Sequence, residues 1–417
     1  MSTRQRTYHA ASSCVHTPSG YPLRPFHVAL VFTELLGRIR PAVLIPAWLA
    51  LAATACWPWG DLRLPAATLS LAFTLIDWTG LALLPRLNRS FGPVTPPLLA
   101  LALVRTALTF TVGLLWETQA ALLLTTGVNL AISVISLYAT WIEPFRLEAT
   151  EIELRSSKLS AGADARQPKY RGATPNPCPP DSGPLRLLHI TDLHIERITS
   201  REEKLLHLIE ELAPDVTVLT GDYLNLGYVY DSTAHSETRD LLAHLCDLTH
   251  GPIYAITGSP PVDRRDVVPA IFEGLPITWL QDEVERLHLK GCTLWIVGLS
   301  CTRRREEDAS RLRHLLDDYP GRGFTLLLYH SPDLMPAAVE LAVDLYLCGH
   351  THGGQIRLPF LGALVTSSDF WKRYEMGRYN ESSTTLYVNR GLGMEGMGAP
   401  RARFLAPPEV VLWNLSP

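Results

Sequence analysis

The chain has 417 residues, 47% of them hydrophobic and only 19% charged, with a formal net charge of −4. Ample apolar content at low net charge excludes a disordered chain, and a pI near 6.4 argues against a nucleic-acid binder driven by bulk positive charge. The seven cysteines include no CxxC pair, so they form no disulfide framework and suit a reducing compartment.

Residues 1–40 read as an N-terminal cytoplasmic segment carrying Arg4, Arg6, Arg24, Arg38 and Arg40. Residues 41–142 are almost wholly apolar and predict a transmembrane helical domain of about four helices: Pro41–Trp57, Leu64–Leu84, Pro96–Trp116 and Gln119–Ile142. A helix rises about 1.5 Å per residue, so about 20 residues cross a hydrocarbon core of about 30 Å. The last three spans reach that length and the first is marginal. Trp57, Trp59, Trp116 and Trp141 stand at span ends, as interface anchors do. Soluble helices keep a polar stripe that these lack.

Asp77 and Arg105 interrupt the second and third spans. Each is costly in lipid unless paired, so a mutual ion pair is expected, with a polar site inside the membrane as the alternative. Arg86 and Arg89 lie in the loop between those spans, and Arg146, Arg155 and Lys158 follow the fourth. The opposite loops offer Arg63 beside Asp61, and Glu117. The positive-inside rule then places both ends in the cytoplasm. That describes a multi-pass protein of the cell membrane with the lipid bilayer as a partner. The first span starts too late for a cleavable signal peptide and lacks a small-residue cleavage site.

Residues 143–184 predict a helix-like stretch through Glu148, Glu151, Glu153 and Arg155, then a linker marked by Pro175, Pro177, Pro179 and Pro180. Residues 185–417 alternate short buried runs with helical periods, which indicates an α/β layered domain. Strands are expected at Leu185–Ile190, Val216–Leu219, Ile253–Ile256, Thr293–Val297, Phe324–Tyr329, Leu345–Leu347, Leu386–Val388 and Glu409–Trp413. Helices are expected at Ser200–Leu212, Glu237–Leu248 and Val267–Phe272.

Polar residues at strand ends are where ligands bind in this class. Asp192 and His194 follow the first strand, Asp222 the second, His330 the Phe324–Tyr329 strand, and His350 and His352 the Leu345–Leu347 strand. Carboxylate oxygen and imidazole nitrogen are ligands for Mn, Fe, Zn or Mg.

This order of residues resembles the calcineurin-like metallophosphoesterase superfamily, whose signature is D-x-H … G-D … G-N-H-[DE] … H … G-H-x-H. The matching positions are Asp192/His194, Gly221-Asp222, Gly258-Ser259-Pro260-Pro261, His330 and His350/His352. They span about Leu185 to Leu415. The GHTHGGQ form and the Tyr387–Gly393 stretch are most similar to the membrane-associated branch with UDP-diacylglucosamine pyrophosphatase-like and phosphodiesterase-like members.

The resemblance implies a four-layer αββα sandwich holding up to two divalent metal ions. On that pattern one ion takes Asp192, His194, Asp222 and His352. The other takes Asp222, His330, His350 and Ser259 at the motif's Asn position. Asp222 bridges, and Asp222, His350 and Arg390 carry the catalytic roles, Arg390 as a phosphate contact. The implied activity is hydrolysis of a phosphate ester or pyrophosphate, on a phosphorylated small molecule or a lipid-linked substrate, by a metal-activated water.

The chain departs from the pattern at Ser259-Pro260, where the family has Asn-His. A hydroxyl is a poorer metal donor than an amide oxygen, and Pro260 offers no acid–base group. Losing one such group costs about 10²–10⁴ in rate. Asp263 or His288 are candidates to compensate. A catalytically impaired relative that binds a phosphorylated ligand or partner is therefore the second reading, and a transporter or channel the third. Trp371-Lys372-Arg373-Tyr374 forms an aromatic-basic stretch suited either to an amphiphilic substrate groove or to ordinary packing.

Overall fold

The computed structural model describes residues 32–161, 183–317 and 323–417. Arg4, Arg6, Arg24 and the prolines of the expected linker lie outside the described residues.

The apolar segment folds into helices α1 (Ile45–Cys56), α2 (Arg63–Leu83), α3 (Thr95–Leu115) and α4 (Gln119–Leu137). Three helical stretches, Pro41–Leu87, Thr95–Leu115 and Gln119–Phe145, are long and apolar enough to cross a membrane. The first of them holds both α1 and α2. The chain turns back at Gly60, whose φ of 49° a side chain would resist, and Trp48 then packs on Trp78 with ring centroids 5.8 Å apart. With 12 residues, α1 is the short member; at about 1.5 Å per residue it rises only about 18 Å.

Asp77 and Arg105 do pair. Arg105 Nε and Nη2 donate to the two Asp77 oxygens at 2.8 Å each, Nη1 donates to the Asn129 carbonyl at 2.7 Å, and Nη2 also reaches Ser133 Oγ at 2.8 Å. The cluster ties α2, α3 and α4 together, with Asp77 and Arg105 both buried.

The rest of the chain forms two six-stranded sheets. The first has the order β1 (Glu148–Arg155), β14 (Glu409–Ser416), β2 (Leu185–Ile190), β3 (Val216–Leu219), β4 (Ile253–Ala255), β5 (Ile277–Trp279). The second runs β12 (Gly377–Glu381), β13 (Thr384–Val388), β9 (Leu345–Cys348), β8 (Phe324–Leu328), β7 (Cys292–Gly298), β6 (Glu283–Leu289). A small ribbon, β10 (Arg357–Leu358) with β11 (Gly362–Ala363), stands apart.

Leu187, Val218, Trp413, Ile296 and Leu328 interdigitate between the sheets. Helices Ser200–Leu212 and Ser232–Leu248 cover the outer face of the first sheet, and Arg305–Asp317 with Met335–Glu340 cover that of the second. This is the four-layer αββα order. Fully buried apolar side chains of this size each stabilise by about 1.5–3 kcal/mol.

One expectation fails. Residues 148–155 form strand β1, not a helix, and pair in parallel with β14 from Glu148↔Glu409 to Arg155↔Ser416. Glu151, Glu153 and Arg155 are exposed while Ile152 and Leu154 turn inward. That is a period of two, the mark of a strand with one wet face. The sandwich therefore begins upstream of the expected linker.

The register also orients the sandwich. Strand β1 leaves the bundle at Glu148 and runs away from it beside β14, which is antiparallel to β2 with Val411 opposite His189. The C-terminal ends of β2 and its parallel neighbour β3 thus lie at the bundle end of the sandwich. Hydrogen bonds fix the seam: Phe91 N donates to Glu196 Oε2 at 2.9 Å, Tyr228 OH to the Phe91 carbonyl at 2.7 Å, and Arg403 N to the Ala139 carbonyl at 2.8 Å.

Candidate metal centre

Strand ends bring six side chains from four stretches of sequence into two groups. Asp192, His194 and His352 form one, and Asp222, His330 and His350 the other, with the ligand atoms of each group within 4.8 Å of one another. All six are buried. His194 Nε2 and His352 Nε2 face each other at 3.1 Å, as do His330 Nε2 and His350 Nδ1. Two nitrogens bound to one ion at about 2.1 Å stand about 3.0–3.4 Å apart, so both pairs have the spacing of neighbours around a cation.

Asp222 lies between the groups, its Oδ2 3.2 Å from His330 Nε2 and 3.6 Å from His194 Nε2. Ser259 Oγ is 3.3 Å from His330 Nε2 and 3.4 Å from His350 Nδ1. Its hydroxyl therefore faces the second group. Pro260 brings no imidazole. His288 sits on edge strand β6 with its ring on Thr293 Oγ1, so it takes no part in this cluster.

The backbone that carries these side chains is unusual. Asp192, His194, Asp222, His350 and His352 all have φ between 43° and 71°, a region that costs about 1–2 kcal/mol per non-glycine residue. The curl lets successive ligands from one strand end point into a single volume, and the surroundings hold it. Asp192 accepts the His350 amide at 3.0 Å, and Asp222 accepts the Ser259 amide at 2.5 Å. Glycines admit the close approach: a Cβ on Gly349 would lie 1.9 Å from Asp192 Oδ2, and one on Gly393 2.4 Å from the Cβ of His194. The Gly391–Gly396 run thus packs its loop over the ligands; no helix opens there.

The buried carboxylates and imidazoles set one another's charge, and burial pushes Asp192 above its ordinary value. Burial works against charge on Asp222, but the imidazoles of His330 and His194 outweigh it and hold the carboxyl below its ordinary value. Burial likewise opposes charge on His330, yet the carboxylates of Asp222 and Asp192 lift it to about 9. Burial and the neighbouring His194 keep His352 neutral, far below its usual value, with one ring nitrogen free to donate its lone pair. His330 Nδ1 meets the Thr220 carbonyl at 2.8 Å, which keeps a proton there, so Nε2, facing Asp222, is the nitrogen that can bind an ion once it gives up its own proton. Oxygen and imidazole donors arranged this way fit divalent ions.

Arg390 is placed differently from the expected phosphate contact. Its guanidinium pairs with Glu148 and Glu409 at 3.1 Å each, tying the loop to β1 and β14. The fully buried Arg403 reaches the centre instead, with Nη2 3.4 Å from His352 Nδ1 and 3.1 Å from the Gly391 carbonyl. Asp263, on sequence a candidate to compensate for Pro260, has another place. It accepts the amides of Asp222 and Gly258 at 2.7 Å and of Tyr223 at 3.0 Å, so it positions the bridging carboxylate. No sequence signal marks a backbone acceptor of this kind. His194 also lines a small crevice together with Arg89 and Phe91 of the α2–α3 loop.

Comparisons with known proteins agree with this geometry. Residues 185–259 match the calcineurin-like phosphoesterase family. An uncharacterized metallophosphoesterase, YkuE of Bacillus subtilis, is 30% identical over 285 residues, covering 67% of this chain and 88% of its own length. The UDP-2,3-diacylglucosamine pyrophosphatase LpxG of Chlamydia trachomatis is 26% identical, covering 55% of this chain and 82% of LpxG. The phosphodiesterase YaeI of Escherichia coli is 27% identical, covering 56% and 83%. Similarity across most of the length of such relatives, joined to paired Asp/His groups on stacked sheets, makes this chain a calcineurin-like metallophosphoesterase, a metal-dependent hydrolase.

Proposed function

We propose that the protein is a membrane-anchored phosphoesterase that cleaves a phosphate ester or pyrophosphate on a lipid-linked substrate. The observation that carries this reading is the place of the two Asp/His groups at the bundle end of the sandwich. A phosphate borne by a lipid at the bilayer surface has the shortest path to a centre in that position. The names of LpxG and YaeI support the same chemistry.

Asp192, His194 and His352 would hold one divalent ion and His330, His350 and Ser259 the other, with Asp222 shared. Bound ions of this kind neutralise phosphoryl oxygens and acidify water. The protein's part is to fix the donors. Thr220 sets the His330 proton, Asp263 sets Asp222, and the glycine loop packs against Asp192 and His194. The arginines of the N-terminal segment and the α2–α3 loop favour a cytoplasmic catalytic domain by the positive-inside rule.

Pro260 favours a second reading, a relative that binds a phosphorylated ligand without turnover, since no imidazole stands where a leaving group would be protonated. Metal content of the purified full chain, with hydrolysis of bis(p-nitrophenyl) phosphate in Mn, separates the two. Roughly two ions per chain and turnover that vanishes in Asp222→Asn support the enzyme. One ion or none, without turnover, leaves the binding relative.

A further inference from the structure

The ribbon formed by β10 and β11 begins just after the metal centre, five residues beyond His352. Its turn is Leu358-Pro359-Phe360-Leu361, closed by the Leu361 amide on the Pro359 carbonyl at 2.8 Å. Phe360 is fully exposed and Leu361 is 58% exposed, with Leu364 and Val365 open behind them. Phe360 also adopts a φ of 65°. A bulky aromatic residue resists that conformation, and here it is held there to face outward.

Trp371, 54% exposed, belongs to a segment that lies against the same turn, because Lys372 Nζ donates to the Leu361 carbonyl at 2.5 Å. Arg373 follows, largely exposed and paired with Glu381 at 2.8 Å, and Lys372 stands 4.0 Å from Glu375. Exposed aromatic and aliphatic side chains gathered on one turn and the segment beside it mark an interaction surface.

The position of the ribbon identifies what it meets. Ile356 bridges to Phe404, and the Arg357 amide donates to the Phe404 carbonyl at 3.0 Å. The Phe404 ring stands edge-on to Tyr138 at 6.2 Å, where α4 ends. The next residue from Phe404 toward the seam, Arg403, bonds the Ala139 carbonyl. The turn is at most four residues from Arg357, about 13 Å at ~3.3 Å per residue. It is therefore within reach of the end of the last apolar helix.

We infer that the Leu358–Leu361 turn, with Trp371 beside it, is an interfacial anchor that enters the headgroup layer of the bilayer crossed by the helical bundle. This rests on the reading that the bundle spans a membrane. Phe360 and Leu361 supply the apolar insertion, and Trp371 the amphipathic ring suited to the headgroup level. The anchor fixes the mouth of the metal centre against the lipid surface and limits rocking of the sandwich on its seam.

The test uses the full chain in nanodiscs of phosphatidylcholine and phosphatidylglycerol, with brominated acyl chains as quencher. Bimane is attached at Phe360→Cys, at Leu75→Cys on the exposed face of α2, or at Arg155→Cys at the far end of β1, with the native cysteines replaced. Quenching at 360 of at least half that at 75, with none at 155, is the expected result. Quenching at 75 with 360 as unquenched as 155 overturns the anchor and leaves the bundle reading intact. Absence of quenching at 75 overturns both. Amide hydrogen exchange of the unsubstituted chain guards against a damaged variant. Exchange at 358–365 slows at least tenfold in nanodiscs relative to detergent if the turn inserts, and is unchanged if it does not.

Discussion

The carboxylate of Asp263 accepts the backbone amide of Asp222 at 2.7 Å, so one buried acid sets the conformation of the acid that lies between the two metal-ligating groups. The same carboxylate holds Gly258 and Tyr223, which links the turn after β3 to the turn after β4. Burial and the charge of Asp222 push Asp263 up to about 7. It nonetheless keeps three amide donors, the arrangement of a positioning residue.

Asp263→Asn should therefore weaken Mn binding more than it weakens the fold. An amide group presents donors to amides that are themselves donors, and lost support of a ligand costs about 10–100-fold in metal affinity. Titration calorimetry of the full chain with Mn reads this directly. Asp263→Ala should also lower the melting temperature, since a buried amide left without an acceptor costs about 1–3 kcal/mol. Unchanged Mn affinity in Asp263→Asn would remove the positioning role.

The departure at Ser259-Pro260 can be tested by reversal. Ser259 Oγ already lies within 3.4 Å of both His330 and His350, so an amide oxygen on a longer side chain has donors waiting. Ser259→Asn should raise occupancy of the second site, read as metal per chain by elemental analysis. Adding Pro260→His should raise kcat on bis(p-nitrophenyl) phosphate by about 10²–10⁴ if protonation of the leaving group limits turnover. A kcat that stays level would mean that another group supplies the proton.

Much of this centre was legible because its residues follow buried strands. Short apolar runs ending in Asp or His betray both the strand and the ligand, and six of the residues read that way form the two groups. What the sequence hid depends on distant partners. Strand β1 carries Glu-rich sequence that looks helical until β14, over 250 residues later, pairs with it. Arg390 and Arg403 look alike in the chain. Glu148 and Glu409 claim the first, while the carbonyls of Gly391, Gly393 and Ala406 gather the second beside His352. Asp263 accepts only backbone amides, and backbone has no sequence signature.

His189 gives the fold a defined acid sensitivity. It is fully buried on β2, its Nε2 2.9 Å from Thr220 Oγ1, and burial pulls it down to about 3. The unfolded chain takes up this proton near pH 6.5 and the folded chain only near pH 3. Stability from this group is thus complete above pH 6.5 and is lost progressively down to pH 3, by up to about 1.4 kcal/mol per pH unit. Melting of the full chain should fall across that window, and His189→Gln, which cannot titrate, should fall less steeply. Equal slopes would show that other groups govern the acid response.

The Asp77–Arg105 pair inside the bundle separates structural from functional use of a charge buried among apolar helices. All the guanidinium nitrogens of Arg105 are engaged, by Asp77, Asn129 and Ser133, and such a saturated cluster needs no further ligand. Removing one partner leaves a buried charge uncompensated at about 3–5 kcal/mol, whereas removing both with apolar residues of similar volume is often neutral. Asp77→Leu alone should lower the melting temperature and the yield of full-length protein sharply. Asp77→Leu with Arg105→Leu should recover most of both, while phosphoesterase activity per folded molecule stays level. A double variant that folds but loses turnover would assign the pair to function, because packing alone gives no reason for the metal centre to sense it.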